Sequence, residues 1–330
     1  MINIKNINGK NIIVTGGSGF IGQNLVRELV FLGANVTVVD DCSNSTPAVL
    51  DEIKDKITFC RLSVLDDAFL DLITDEVHLI FHLACRTIIS CSEDPFNDLR
   101  INAESTLKIL EYLRYYRPAS FERFIYTSSC SIYGSPKMLP VSEDSTVQPL
   151  SQYAATKLLG EQYTTMYSKL YDIPVTCTRF SNVYGYGQTP QNPYCGVIGS
   201  YIDRALNGQP LIVYGDGDQT RDYTFVTDAV HAAIIAGLHP KAYGEVYNVA
   251  TNREVSVNQL VKQLKENYFP GLVIQHEKER YIDNIRRRVI SIAKINQDLS
   301  WFPEVTIEEG LRKTIEWYQS RHLLKDKVSA

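Results

Sequence analysis

Apolar residues recur along this chain in two alternating rhythms. The runs NIIVT (11–15), NVTVV (35–39), Ile57 to Leu62, Val77 to Ala84 and Phe121 to Ser128 are short and rich in β-branched and aromatic residues, as strands buried on both faces are. Between them, the stretches beyond Gly19, from Asp66, and from Asp94 to Tyr116 carry apolar residues every three or four positions, the spacing of a helix with one face on a core. Regular alternation of the two predicts an α/β fold with a doubly wound parallel sheet. Beyond Phe180, CGVIGSYIDRAL reads as a helix, LIVYG as a strand and GDGDQTRDYTFV as a glycine-rich turn leading into another strand. At 330 residues the chain exceeds one ordinary domain, so a second, smaller α/β lobe is expected. No repeat or Pro/Gly-rich linker divides the sequence, so the two lobes should interleave.

The first strand stops at Gly16 in TGGSGFIG. Gly16, Gly19 and Gly22 let the backbone turn sharply and approach a pyrophosphate, held by amides at the N-terminus of the following helix. The second strand ends in Asp40, eighteen residues beyond Gly22, where a carboxylate can accept both hydroxyls of a ribose. Its charge repels a 2′-phosphate and no arginine lies between Gly33 and Asp55, which favours NAD over NADP. A structural turn followed by a surface aspartate is the plain alternative. On the cofactor reading the sheet is Rossmann-type. Residues 1–180 and about 222–250 then form the NAD-binding domain, and residues 181–221 and 251–330 the substrate lobe.

Tyr153 and Lys157 stand four residues apart in SQYAATKLLGEQY, so a helix puts them on one face. A free phenol titrates near pH ~10, and a neighbouring cation favours its ionised form. Tyr153 is therefore a candidate general base. HLAC (82–85), TSSCS (127–131) and RFSN (179–182) all fall at the carboxyl ends of strands, where such sheets bind ligands.

TGGSGFIG, Asp40 with DDCSNS, HLAC, Asn102, TSSCSIYG, Tyr153-x-x-x-Lys157, RFSNVYG and GDGDQTRDY occur in the order seen in the extended short-chain dehydrogenase/reductase family. From about residue 11 to about residue 320 the chain resembles that family's nucleotide-sugar 4-epimerases. The resemblance implies bound NAD and a nucleotide-diphosphate sugar, a UDP-sugar above all, as substrate. It also implies a homodimer packed through helices near 94–116 and 152–170. Ser129, Tyr153 and Lys157 match the catalytic set: Ser129 hydrogen-bonds the sugar hydroxyl and eases its proton to Tyr153, while Lys157 lowers the phenol's pKa and binds the nicotinamide ribose. The implied cofactor contacts are Gly16, Gly19, Phe20, Ile21, Gly22, Asp40, Asp41, Asn44, Ser45, Ser63, Val64, Leu83, Ala84, Asn102 and Phe180, with Tyr153 and Lys157. Ser63 stands where the family usually has an aspartate near adenine.

The implied substrate contacts are Ser131, Asn182, Val197, Tyr214, Arg221, Arg280 and Arg288. Arg221 has a plain physical reading too, since a guanidinium forks onto phosphate oxygens; pairing with the adjacent Asp222 is its alternative. The family's arginine before a Gly-Asp pair is displaced here, so Arg280 or a member of the 286–288 cluster completes a phosphate clamp, or the cluster is a solvated basic turn. Arg288 falls at a position beside the sugar, and arginine there also occurs in uronate-handling relatives. After Ser129 come Cys130 and Ser131, where dehydratases carry Asp-Glu and uronate decarboxylases Glu. Elimination or loss of carbon dioxide calls for that additional acid/base, so epimerisation at C4 fits better. The alternatives are a 4,6-dehydratase, a uronate decarboxylase or epimerase, a cofactor-releasing reductase, or a non-catalytic dinucleotide sensor.

A net charge of −5 and a pI near 5.7 offer no electrostatic footprint for nucleic acid. No apolar run approaches the ~18 residues of a membrane span and no signal-peptide core opens the chain, so a cytoplasmic protein is expected. The seven cysteines, all within the first 195 residues, form no Cys-x-x-Cys pair, and reduced thiols without a metal are expected.

Overall fold

The β-branched runs pair as predicted. In the computed structural model, which describes residues 4–188, 196–279 and 285–328, β1 (Asn11–Thr15), β2 (Asn35–Val39), β3 (Ile57–Cys60), β4 (Val77–His82), β5 (Arg123–Ser129), β6 (Val175–Phe180) and the edge strand Val246–Val249 form one sheet. Its spatial order is edge strand, β6, β5, β4, β1, β2, β3, and every pairing is parallel. The order reverses between β1 and β4, which opens a crevice at the carboxyl ends there.

Helices Phe20–Phe31 and Val226–Leu238 cover one face, closing a core that includes Val14, Val26, Val38, Phe81 and Ile234. Helices Ser105–Tyr115 and Gln152–Tyr171 cover the other over Ile80, Ile109, Leu113 and Phe124. The chain leaves the sheet after β6, builds helix Val197–Leu206 and short strands, and returns for Val226–Leu238 and the edge strand. It then leaves again for helices Val257–Asn267 and Ile307–Val328. These outer segments pack around their own core of Tyr184, Tyr201, Phe225, Leu260 and Leu311.

Several boundaries differ from the sequence expectation. β3 ends at Cys60 and β4 at His82; the residues read as their last turns, Leu62, Leu83 and Ala84, leave the sheet to line a cleft. β5 starts at Arg123 because Phe121 closes a turn onto the Pro118 carbonyl. The helix from Asp66 is a single turn, Asp67–Leu70. The long helix expected from Asp94 to Tyr116 is divided into Pro95–Leu99, one wide π turn at Arg100–Glu104, and Ser105–Tyr115. A further short helix, Ile88–Glu93, precedes it. Wide turns of this kind are common where a helix borders a functional site.

Helix Gln152–Tyr171 is fixed to the sheet by a buried ion pair. Arg179 on β6 donates from Nε to Glu161 Oε2 at 3.0 Å and from Nη2 to Oε1 at 2.6 Å, with side chains 8% and 5% exposed. Its Nη1 donates to the Tyr133 hydroxyl at 2.6 Å and to the Glu143 carbonyl at 3.0 Å. Tyr133 in turn donates to Asn248 Oδ1 on the edge strand at 2.7 Å. Removing one member of such a pair strands the other's charge in a dry interior. Arg179→Met should therefore lower the unfolding free energy by about 3–5 kcal/mol, read from urea denaturation, and Arg179→Met with Glu161→Leu should recover much of the loss.

Candidate active site

The carboxyl ends of β1, β2, β4, β5 and β6 and the facing outer segments enclose one cleft of about 1270 Å³, roomy beside the ~300–1,000 Å³ of a usual small-ligand site. Among the described residues, every position singled out from the sequence lines it except Asn102. Arg280 lies outside the described residues.

At the β1 end the glycines do what their spacing implies. Gly16 has φ +67°, and a Cβ there would lie 2.8 Å from the Ala84 backbone; one on Gly22 would lie 2.1 Å from the Gly16 carbonyl. Helix Phe20–Phe31 starts at Gly19 without a side-chain cap, so its first N–H groups face the cleft and suit an anion. Asp40, at the end of β2, accepts from Ser18 N (3.0 Å), Cys42 N (2.9 Å) and Ser45 Oγ (3.0 Å). The carboxylate is thus oriented before any ligand meets it, and Ser45 serves first as its prop. Asp41, Asn44, Ser63 and Val64 continue this wall. A bare glycine turn, an open helix start and a fixed carboxylate together fit a dinucleotide.

β1 and β4 are clamped through His82, whose Nδ1 lies 2.8 Å from Thr15 Oγ1 and Nε2 3.3 Å from Ser105 Oγ. Burial, helped by the nearby Lys157 charge, pushes this imidazole down to about 3, so it stays neutral.

At the β5 end, Ser129, Tyr153 and Lys157 converge on the cleft. Ser131 turns back on Ser129, donating to its Oγ from N at 3.2 Å and from Oγ at 2.8 Å. The electrostatics differ from the expectation. Burial pushes the Tyr153 phenol well above its ordinary value, with the neighbouring Cys85, Cys91 and Asp98 acting in the same direction, while the Ser129 hydroxyl works in the opposite direction. Lys157 is itself 2% exposed; burial lowers its pKa, and its Nζ sits over the Tyr126 ring, 4.4 Å from the centroid. Desolvation outweighs the one-turn proximity of the ammonium, which spacing alone does not convey.

Asn102 stands apart from the lining residues. It sits in the π turn, 1% exposed, and braces the cleft wall from behind. Its Oδ1 accepts from Arg86 N at 2.7 Å, and its Nδ2 donates to Asp98 Oδ1 and to Thr156 Oγ1. Asp98 also accepts from Cys91 Sγ and Thr156 Oγ1. This hub fastens the loop after β4 to the turn of helix that carries Tyr153.

The opposite wall includes Asn182, Val197, Tyr214, Arg221 and Arg288. Arg221 donates to the Thr220 and Ile285 carbonyls. Asp222, its alternative partner, faces away and accepts from Thr251 N, Thr251 Oγ1 and Ile290 N. Within the basic cluster, Arg286 pairs with Asp216 and Arg287 with Glu254 at the surface, while Arg288 is 4% exposed. Cys85, in the HLAC strand end, lines the cleft too; sequence reasoning missed Arg86, Gln188 and Arg204, which also line it, and for Arg86 the signal was its place just beyond that strand end. Among the described residues no group of side chains forms a metal site, and no helix is long and apolar enough to cross a membrane.

The sequence profile of the NAD dependent epimerase/dehydratase family matches residues 12–250. A putative UDP-glucose 4-epimerase of Methanocaldococcus jannaschii is 35% identical over 94% of this chain and 99% of its own. Among solved structures, the epimerase Mth375 of Methanothermobacter thermautotrophicus superposes with a TM-score of 0.91 at 34% identity, over 98% of this chain and 96% of that one. MoeE5, solved with NAD and either UDP-glucose or UDP-glucuronic acid, has TM-scores of 0.83 and 0.82 at 30% identity, over 94% of this chain and 99% of that one. The reactions of the relatives diverge. A UDP-N-acetyl-alpha-D-glucosaminuronate decarboxylase of Bacillus cytotoxicus and a human dTDP-D-glucose 4,6-dehydratase are each 31% identical over 94% of this chain, and over 98% and 90% of their own.

Asp222, which ties Thr251 and Ile290 beside Arg288, has its carboxyl raised to about 6 by burial. The folded state therefore holds this proton more tightly than the unfolded chain, and the advantage is lost as pH rises through that value. Between pH ~4 and ~6 this group should remove up to about 3 kcal/mol of stability. The drop should be visible as a wild-type slope in unfolding free energy that Asp222→Asn flattens.

Proposed function

This chain belongs to the NAD dependent epimerase/dehydratase family, and we propose that within it the protein inverts C4 of a nucleotide-diphosphate sugar through a transient 4-keto sugar. The observation that carries the reading is the β5 end of the cleft. Ser129, Tyr153 and Lys157 meet there, and the two following positions supply no second acid/base. Cys130 is buried, its thiol pushed far up by desolvation, and Ser131 is spent on Ser129. Dehydration and decarboxylation need a further proton donor or acceptor; reversible oxidation of an alcohol does not.

In this proposal Ser129 Oγ hydrogen-bonds the C4 hydroxyl oxygen and Tyr153 takes the hydroxyl proton. The high pKa of the buried phenol means that the site must supply positive charge for that transfer, and Lys157, one helical turn on, is the nearest fixed source in the sequence. Bound NAD supplies a reversible hydride acceptor and, when oxidised, positive charge. The Gly16–Gly22 turn holds its diphosphate, Asp40 its adenosine ribose, and Ser63 and Val64 border its adenine. Asn182, Val197, Tyr214 and Arg221 hold the substrate's nucleotide diphosphate, a UDP group by analogy with the relatives. The overall reaction is redox-neutral.

Pure protein incubated with UDP-, dTDP-, GDP- and CDP-sugars, with products read by NMR, should yield the 4-epimer of one of them without continual supply of NAD. Release of carbon dioxide, or a 6-deoxy-4-keto product, overturns the assignment. Tyr153→Phe should lower kcat by about 10²–10⁴-fold while leaving the melting temperature and NAD affinity near those of the parent.

A further inference from the structure

The reacting end of the cleft is positively charged and carries no acid. Among the described residues lining the whole cleft, the only carboxylates are Asp40 and Asp41 beyond β2 and Glu279 in the outer segments. The walls around β4 and β5 instead present Arg86 and Lys157, and the opposite wall Arg288. Acids buried behind those walls are engaged elsewhere, Asp98 by Cys91, Asn102 and Thr156, Glu161 by Arg179, and Asp222 by Thr251 and Ile290.

Arg86 is the informative member. Its backbone N–H is held by Asn102 Oδ1, so the loop that presents it is rigid. Its Nε is buried and has no hydrogen-bond partner, its Nη2 reaches only the Ser90 carbonyl at 3.5 Å, and no ion pair joins it to an acid of the described residues. Arg86 and Cys85 line the cleft with Tyr153 and Lys157, and Asn102 joins Arg86 N to Thr156 on the turn of helix that carries both, which puts Arg86 next to the chemistry. A half-buried guanidinium with unused donors costs free energy until an anion meets it, and its planar fork matches a carboxylate. Two other anions have provision elsewhere: the glycine turn and open helix start serve one diphosphate, and Arg221 on the opposite wall suits the other. What lies between them is the sugar.

We propose that the sugar bears a carboxylate, so that the substrate is a nucleotide-diphosphate hexuronic acid, and that Arg86 binds that carboxylate. The inference rests on the nucleotide-sugar reading above and narrows it to one substrate class. The test is equilibrium binding, which does not depend on turnover. UDP-glucuronate and UDP-glucose are titrated calorimetrically into NAD-loaded Tyr153→Phe protein, alone and with Arg86→Met or Arg86→Lys, each variant first checked for native circular dichroism. The parent should favour UDP-glucuronate. Arg86→Met should cut that preference by about 10- to 100-fold, the worth of a hydrogen bond to a charged group, and Arg86→Lys should restore part of it. A parent that binds both sugars equally, or a preference untouched by Arg86→Met, overturns the assignment of Arg86. Failure of both UDP-sugars to bind is a different result, which removes the UDP-sugar reading on which this assignment rests.

Discussion

Everything at the reacting end of this molecule depends on a single requirement, that polar groups taken out of water must find partners. Helix Gln152–Tyr171 is buried along a face that carries Thr156, Lys157 and Glu161, none of which an apolar core would tolerate alone. Glu161 is satisfied by Arg179 from β6. Thr156 is satisfied by Asp98 and Asn102 from the broken helix that packs alongside. Each partner comes from a different element, so satisfying the helix also sets its height and rotation against the ends of β4, β5 and β6. That pairing brings Tyr153 to Ser129, whose hydroxyl hydrogen-bonds the phenol.

The same burial that fixes the geometry sets the chemistry against it. Desolvation holds the Tyr153 phenol in its neutral form and drains the basicity of Lys157. A tyrosine in such a place can serve as the proposed base only where positive charge is brought to it. That is consistent with a wall in which cations outnumber acids, the described acids lying at the Asp40 end, at Glu279 in the outer segments or locked behind the surface.

Much of this was legible in the sequence because it rests on local rules. Two-sided burial makes a strand a continuous apolar run, so β1 and β2 could be bounded to the residue. The glycine spacing and Asp40 report backbone geometry that no other residues supply. Legibility failed where a tertiary partner decides. The apolar spacing from Asp94 to Tyr116 reads as one helix, but Asn102 must reach Arg86, Asp98 and Thr156 together, and a wide turn places it there. For the same reason Asn102 belongs behind the wall and not on it. The 286–288 run reads as three equal arginines; only the acids at Asp216 and Glu254, distant in sequence, separate two surface pairs from the buried Arg288. The raised phenol could not be read from an i,i+4 spacing because spacing carries no information about solvent.

The edge strand Val246–Val249 has a consequence for biogenesis. It hydrogen-bonds along β6, and its Asn248 completes the ring of contacts around Tyr133 and Arg179, yet it is synthesised after the first excursion into the outer segments. While the chain is still emerging from the ribosome, β6 is an open sheet margin with an unsealed guanidinium behind it. Such a margin is a template for wrong pairing. The nascent sheet must stay shielded, by a chaperone or by its own covering helices, until that last strand arrives.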